Sequence, residues 1–458
     1  MKKMLVTLLL VMAVGIYAAD IYVSPAGGGS GASPGDETDA ESGIQAAQPG
    51  DTVYFRGTMG TYSVNLKIEP SNGVADGTAA DPIECKPYNS ESVLFSAGPS
   101  ENCFDISCSY WILRDFEITG YSNAVKTQSA SYILLDNLYV HNTGSVGIDF
   151  KGATHHITVK NCEVAFPGGS GECFYIGSSD SFSSNICSEN VIKNCYIHDT
   201  IGTTQGDGVE LKPLCWGNVI RDNVIHSTNY PGILAVGNYT QATPNVIEGN
   251  VIWNVKEWGI DVCSRAIVKN NIVFNCDSGG IKLRSNSDSG HTRIQSVKVI
   301  SNTCFDNIQV TPSAGTYRGE IHIADALELR DVVIANNIFY GTNSSQFALS
   351  LYPHNNEPHN TTEFITNRYY HANTTHTVFV NQTGQDNMNL ADWQAYLASK
   401  NIVEGDDSSS YGLPGFANPV SNVPGADFYL NANITGTYSA EAIYDIDGVV
   451  RDNPPTIG

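Results

Sequence analysis

Between Cys162 and Tyr340 one short phrase recurs along the chain, as VKNCEV, IKNCYIHD, IRDNVIHS, IEGNVIWN, VKNNIVFN, ISNTCFDN and IANNIFYG. Each is a brief β-prone run built around an Asn or a Cys. Taking that residue as a marker and extending the series upstream gives Phe116, Leu138, Cys162, Cys195, Asn223, Asn250, Asn271, Asn302 and Asn337, at intervals of 21 to 35 residues. Helical and leucine-rich repeats hold a tighter period and carry other signatures. Short Val/Ile runs separated by Gly, Asn, Asp and Ser, with no sustained helical period, describe strands joined by turns of variable length. The fold class this predicts is all-β, a right-handed parallel β-helix, because insertions leave such a coil as surface loops. Equivalent Asn side chains then stack about 4.8 Å apart as an interior ladder, and small apolar Cys fills the same place in early coils.

Several phrases are followed by a second one, GIDFK, GVELK, GIDVC or GIKLR. In G-[IV]-x-[LVF]-x the apolar pair points inward and the x positions point outward. The first outward row reads Asp149, Tyr175, Glu210, Leu234, Asp261, Lys282 and His322, and the second Lys151, Gly177, Lys212, Val236, Cys263, Arg284 and Ala324. Glu172 and Asp207 precede their strands. Glu172, Asp207, Glu210 and Asp261 are hard oxygen donors suited to Ca²⁺, and Lys282, Arg284 and Lys212 supply cations on the same face. The bland alternative is a solvated face of ordinary surface pairs, each worth little. A third outward row, His141, His198, His226, Trp253, Phe274, Phe305 and Tyr340, reads as a stacked aromatic ladder, with sugar stacking as the alternative.

The net charge of −23 argues against nucleic acid and calls for a bridging cation or a local basic patch if the partner is an acidic polymer. Met1–Ala19 has Lys2 and Lys3, an apolar run and Ala18-Ala19, the pattern of a secretory signal peptide, so the chain is expected to be exported. No later stretch is long and apolar enough to span a membrane. The remaining divisions are 20–345, the β-helix with an N-terminal cap that includes a short helix around Ala40–Ala47, and 346–458, the last coils and an irregular cap with a helix at Leu390–Lys400. The eleven cysteines read mainly as buried thiols, with Cys103 and Cys108 near enough in sequence for a local disulfide. A monomer is expected.

The segments YVSPAG…SGIQAAQPGDTVYFRG and DPIECKPYNSESVLF, the NxI…GIxL coils and the ending YDIDGVVRDNPPTIG resemble exported β-helix proteins of the polysaccharide lyase type. Pectate lyases are nearest in style, alginate and chondroitin lyases next. The resemblance implies β-elimination on a uronate-containing polysaccharide with Ca²⁺ as cofactor. In that group a Lys in a G-F-K-L type phrase is the base beside an acidic calcium cluster. SGGIKLRS places Lys282 there, with Arg284 beside it, and Asp207 in QGDGVELK resembles the acidic motif, with Glu210 at a less typical position. Lys212 is a second candidate base, and Lys151, Tyr175 and His322 are candidate substrate contacts. The group's tight run of Asp residues is absent, and Asp207 and Lys282 are more coils apart than the resemblance implies. Because lyases, hydrolases and adhesins share this scaffold, a glycoside hydrolase using paired carboxylates and a non-catalytic binding protein stay open.

Overall fold

The computed structural model describes residues 18–430 except 179–185, 201, 238–242, 264, 286–292, 314–317, 325–327, 343–345, 352–360, 372–378, 382–385, 403, 415 and 419–426. The signal-peptide pattern at Met1–Ala19 and the ending after Leu430 fall essentially outside the described residues.

Each coil visits three sheets in turn, and each sheet adds one parallel strand per coil. Among the described residues the sheets hold 13, 12 and 13 strands. One coil runs Val219–Arg221, Val224–His226, Ile233–Ala235, and the next begins at Asn245–Glu248. The turn between the first two sheets explains the repeated phrase. The residue before each marker has positive φ: Asp115 (63°), Asn137 (53°), Asn161 (56°), Asn194 (52°), Asp222 (56°), Gly249 (66°), Asn270 (56°), Ser301 (57°) and Asn336 (58°). Asn, Asp and Gly tolerate this left-handed conformation best. The chain thus bends sharply in one residue and turns the marker inward.

The marker Asn residues form the expected ladder. Asn223, Asn250, Asn271 and Asn302 each donate an Nδ2 hydrogen to the Oδ1 of the next Asn at 2.9–3.0 Å, and their backbone N–H groups donate to the same oxygen. Asn337 extends it to Asn367. A second ladder, not anticipated, runs Asn190–Asn218–Asn245 at the start of the first sheet. The interior between the sheets is otherwise one continuous apolar core, mainly Val, Ile, Leu, Phe and Cys. Gly259 is needed where coils approach closely, since a Cβ there would lie 2.2 Å from Val273 Cγ1.

Both ends of the described coil are covered. The helix Ala40–Ala46 is capped by Asp39, which accepts from Ser42 N–H at 2.8 Å, and buries Ala40 and Ile44 over the first coil. The helix Leu390–Ser399 buries Trp393 and Leu397, with Trp393 stacked 5.2 Å from Phe379. Regular coils continue past residue 345, through Gln346–Leu351, Thr362–Ile365 and Arg368–His371. All eleven cysteines are buried free thiols, so Cys103 and Cys108 are not paired. Among the described residues no helix is long and apolar enough to cross a membrane.

Candidate functional site

The third sheet places the outward residues in register: Asp149 beside Tyr175, Tyr175 beside Glu210, then Leu234, Asp261, Lys282, His322 and Ser350. The rows read from the phrases are therefore real columns of neighbouring side chains. They resolve into two charged centres rather than one continuous groove.

The first centre gathers Glu172, Asp207 and Glu210. All three are buried, and a carboxylate oxygen from each lies within 4.8 Å of the others. Glu172 and Asp207 sit in the turns entering Phe174–Ile176 and Val209–Leu211, held by backbone bonds from Gly147 N–H to Glu172 O and from Cys173 N–H to Asp207 O, both 3.1 Å. Glu172 Oε1, Asp207 Oδ1 and Glu210 Oε2 are buried without a hydrogen-bond partner. Burial, reinforced by the charges of Glu210 and Glu172, raises the Asp207 carboxyl well above its ordinary pKa, and burial likewise raises that of Glu172. Three hard oxygens that repel one another and lack donors are a fitting donor set for a divalent cation.

Two lysines flank this cluster over a single ring. Lys151 Nζ lies 3.5 Å from the Tyr175 ring centroid and Lys212 Nζ 4.5 Å from it. Gly177, between the two in their row, puts no side chain in the gap. Lys151 also donates to Gly177 O at 2.9 Å and pairs with Asp149 at 3.1 Å. The lysines differ electrostatically. Burial lowers the Lys151 pKa, with Asp149 opposing. Burial acts in the same direction on Lys212, but the carboxylate of Glu210, in direct contact with its ammonium, outweighs it and leaves the pKa raised.

Leu234, Val236 and Cys263 then form a buried apolar patch on the outward face, which separates the second centre. There Arg284 Nε donates to both oxygens of Asp261 at 2.9 and 3.0 Å, and Lys282 Nζ lies 3.8 Å from Asp261. Asp261 is thus committed to Arg284 and is not brought to the acidic cluster. His322 is not open to a ligand either. It is buried, accepts or donates at Nδ1 with Ser350 Oγ at 2.7 Å, and stacks 5.0 Å from Trp258. Burial pushes its pKa down to about 3, so it is neutral at physiological pH. The indole reaches His322 by crossing Gly279, where a Cβ would lie 2.2 Å from a Trp258 ring carbon. Glu257, Trp258 and Arg318 belong to this centre and were not singled out in the sequence. The twin glycines before Ile281 were the available signal.

The aromatic row on the second sheet stacks as anticipated, with His226 to Trp253 at 4.5 Å and Phe305 to Tyr340 at 4.6 Å. Trp253, Phe274 and Phe305 are buried, which favours packing over sugar binding.

The buried acids and lysines are carried on a parallel β-helix, an architecture that hosts many different functions. Within it the chain belongs to the Pel9A-like family: residues 21–318 match the Pel9A-like right-handed β-helix region. None of the curated proteins matches the chain. Among solved structures it is similar to an alginate lyase from a Paenibacillus species (18% identity, covering 66% of this chain and 99% of that one, TM-score 0.51). It is also similar to a mannuronic acid specific family 6 lyase from human gut microbiota (13% identity, 84% of each chain, TM-score 0.55). A lacto-N-biosidase from Eubacterium ramulus is a third (14% identity, 76% of this chain and 67% of that one, TM-score 0.50). At these identities the likeness is one of fold.

Proposed function

We propose that the chain is an exported polysaccharide lyase that cleaves a uronate-containing polymer by β-elimination, with Ca²⁺ held by Glu172, Asp207 and Glu210. The observation that carries this reading is the buried three-carboxylate cluster, its unpartnered oxygens lying beside two lysines over Tyr175. A cation bound there would neutralise the carboxylate of a uronate and acidify its α-proton. Lys212, kept charged by Glu210, faces the same anion.

The proton acceptor is Lys151. In the step, its neutral amine takes the proton from the carbon α to the carboxylate, and the C–H electron pair forms the new C=C bond. The C–O glycosidic bond at the β carbon breaks, and the departing oxygen takes a proton from water. A base must be deprotonated to act, and burial favours the neutral form for Lys151 but not, on balance, for Lys212. Lys282, the base implied by the family phrase, stands three rungs from Glu210, about 14 Å at the spacing of parallel strands. That is too far to act on the sugar whose carboxylate the cluster holds.

A hydrolase reading needs two separated carboxyl groups, about 5–5.5 Å apart for retention and 6.5–9.5 Å for inversion. The convergence of three buried carboxylates, each with an oxygen lacking a hydrogen-bond partner, favours shared cation binding instead. The deciding experiment incubates the protein with pectate, alginate and glycosaminoglycans, with Ca²⁺ or a chelator. The expected result is ultraviolet-absorbing unsaturated product that disappears with chelator. New reducing ends without that absorbance would replace the lyase with a hydrolase, and no product from any polymer would leave a binding protein.

A further inference from the structure

We infer that Lys282 and Arg318, above the buried indole of Trp258, form a second carboxylate-binding subsite that grips the same acidic polymer several sugars away from the acidic cluster. This deepens the lyase reading and rests on it for the polymer's identity as a polyuronate.

The argument begins with cations that their own surroundings leave short of partners. The carboxylate nearest the Lys282 ammonium among its ion pairs is Asp261 at 3.8 Å, beyond hydrogen-bond range. Asp261 is already engaged through both oxygens by Arg284. Arg318 Nη1 donates to a neutral acceptor, Ser278 Oγ, at 2.7 Å. Its charge is therefore not met by that bond. Both cations lie over one ring, Lys282 Nζ 5.7 Å and Arg318 Cζ 5.9 Å from the Trp258 centroid. The ring is fixed from below, packed across Gly279 and stacked on His322. Three cations, Lys282, Arg284 and Arg318, meet the carboxylates of Glu257 and Asp261. The nearby Asp277 is paired with Lys256 at 3.3 Å. The centre thus carries an excess positive charge on a protein of net charge −23.

Placement supplies the second half. The two centres share one outward column, and the apolar patch of Leu234, Val236 and Cys263 between them offers no polar group to a ligand. A polymer lying along the coil axis over the cluster would pass over the patch and present a later carboxylate to Lys282 and Arg318. The cluster side is acidic and needs a cation to accept a uronate. The second centre accepts one directly, by charge-assisted hydrogen bonds.

The test uses hexameric oligogalacturonate and oligomannuronate titrated calorimetrically into the full chain in the presence of Ca²⁺. A parallel set uses Lys282→Met, Arg318→Met and the control Lys282→Arg. At least one hexamer is expected to bind the wild type. Each Met variant should weaken that hexamer about tenfold, as expected for losing one ion pair of roughly 1.4 kcal/mol, and Lys282→Arg should retain most of the affinity. Trimers, too short to bridge the centres, should lose less than hexamers do. Equal affinity of wild type and Met variants with unchanged melting temperatures, or no hexamer binding by the wild type, would overturn the subsite. If the hexamer binds in this pattern but no unsaturated product forms, the lyase reading fails and the subsite stands.

Discussion

Glu210 and Lys282 share an outward column of the third sheet but stand three rungs apart, with Leu234 and Asp261 between them. A proton acceptor has to reach the same sugar as the group that stabilises the developing charge. On the proposed lyase reading, this separation puts the two residues at different sugars of the polymer and makes the lysines beside the cluster the candidate bases.

Lys151→Met should lower turnover by about 10² to 10⁴-fold, the usual contribution of a positioned base, while Lys282→Met should act mainly through KM. Only the neutral amine accepts a proton. Activity should therefore rise with pH through the Lys151 pKa, which burial places below the ordinary lysine value. Lys151→Arg should not rescue, because a guanidinium stays protonated. Initial rates of unsaturated product across pH 6–10 check this. An unchanged acid limb in the Lys151→Met variant would remove Lys151 from the reaction.

Much of this was legible in the sequence for a simple reason: a solenoid converts sequence period directly into spatial neighbours. The markers from Cys195 to Asn337 lie on one ladder, and Asp149, Glu210 and Lys282 share one column, as the phrases implied. What was not legible depended on contacts off the period. His322 occupies an outward position yet is buried, because Trp258 reaches across Gly279 to cover it. Arg318 and Glu257 enter from strand ends and turns, where no repeat aligns them. Asp261 looked like a ligand because its type suits Ca²⁺, but Arg284, two residues beyond its column neighbour Lys282, takes both oxygens.

Calcium should stabilise the folded chain. At about 100 times its Kd, a ligand confined to the native state contributes about 2.7 kcal/mol, or roughly 3 °C in Tm for a chain of this size. Asp207→Asn and Glu210→Gln should lose that shift. Without calcium, Asp207→Asn should be no less stable than the wild type, since it removes a charge from a repelling buried group. Differential scanning fluorimetry with Ca²⁺ or chelator reads both effects. A shift that survives in both variants would place the ion elsewhere.

The interior ladder should be sensitive to what replaces Asn271. Its Oδ1 accepts from Asn250 N–H at 3.0 Å and from Asn250 Nδ2 at 2.9 Å. Asn271→Ala strands two buried donors, at about 1–3 kcal/mol each. Asn271→Cys should cost less, because a thiol does this duty elsewhere: Leu138 N–H donates to Cys162 Sγ at 3.4 Å. The urea midpoints of the two variants should therefore order as wild type, Cys, Ala. Equal midpoints for Cys and Ala would show that the sulfur does not substitute.

Glu320 should make stability fall as pH rises. It is fully buried beside Asn307, whose Oδ1 accepts from Cys276 N–H at 3.0 Å, and its two oxygens accept from Asn307 N–H at 2.9 Å and Nδ2 at 2.5 Å. Burial raises its pKa to about 8, against an ordinary value of 4.5, despite those two donors. The folded chain therefore holds a proton there that the unfolded chain releases between those values. The stabilisation is complete below the unfolded pKa and is lost as pH rises through the folded one, by up to about 1.4 kcal/mol per pH unit in between. Glu320→Gln cannot ionise. It replaces one accepting oxygen by a donor and pays a constant penalty, but it should abolish this part of the pH slope. The measurement is the difference in unfolding free energy between wild type and variant at pH 5, 6.5 and 8. The difference should shift steadily in favour of the variant, whereas a difference constant with pH would mean that Glu320 is ionised in the core throughout.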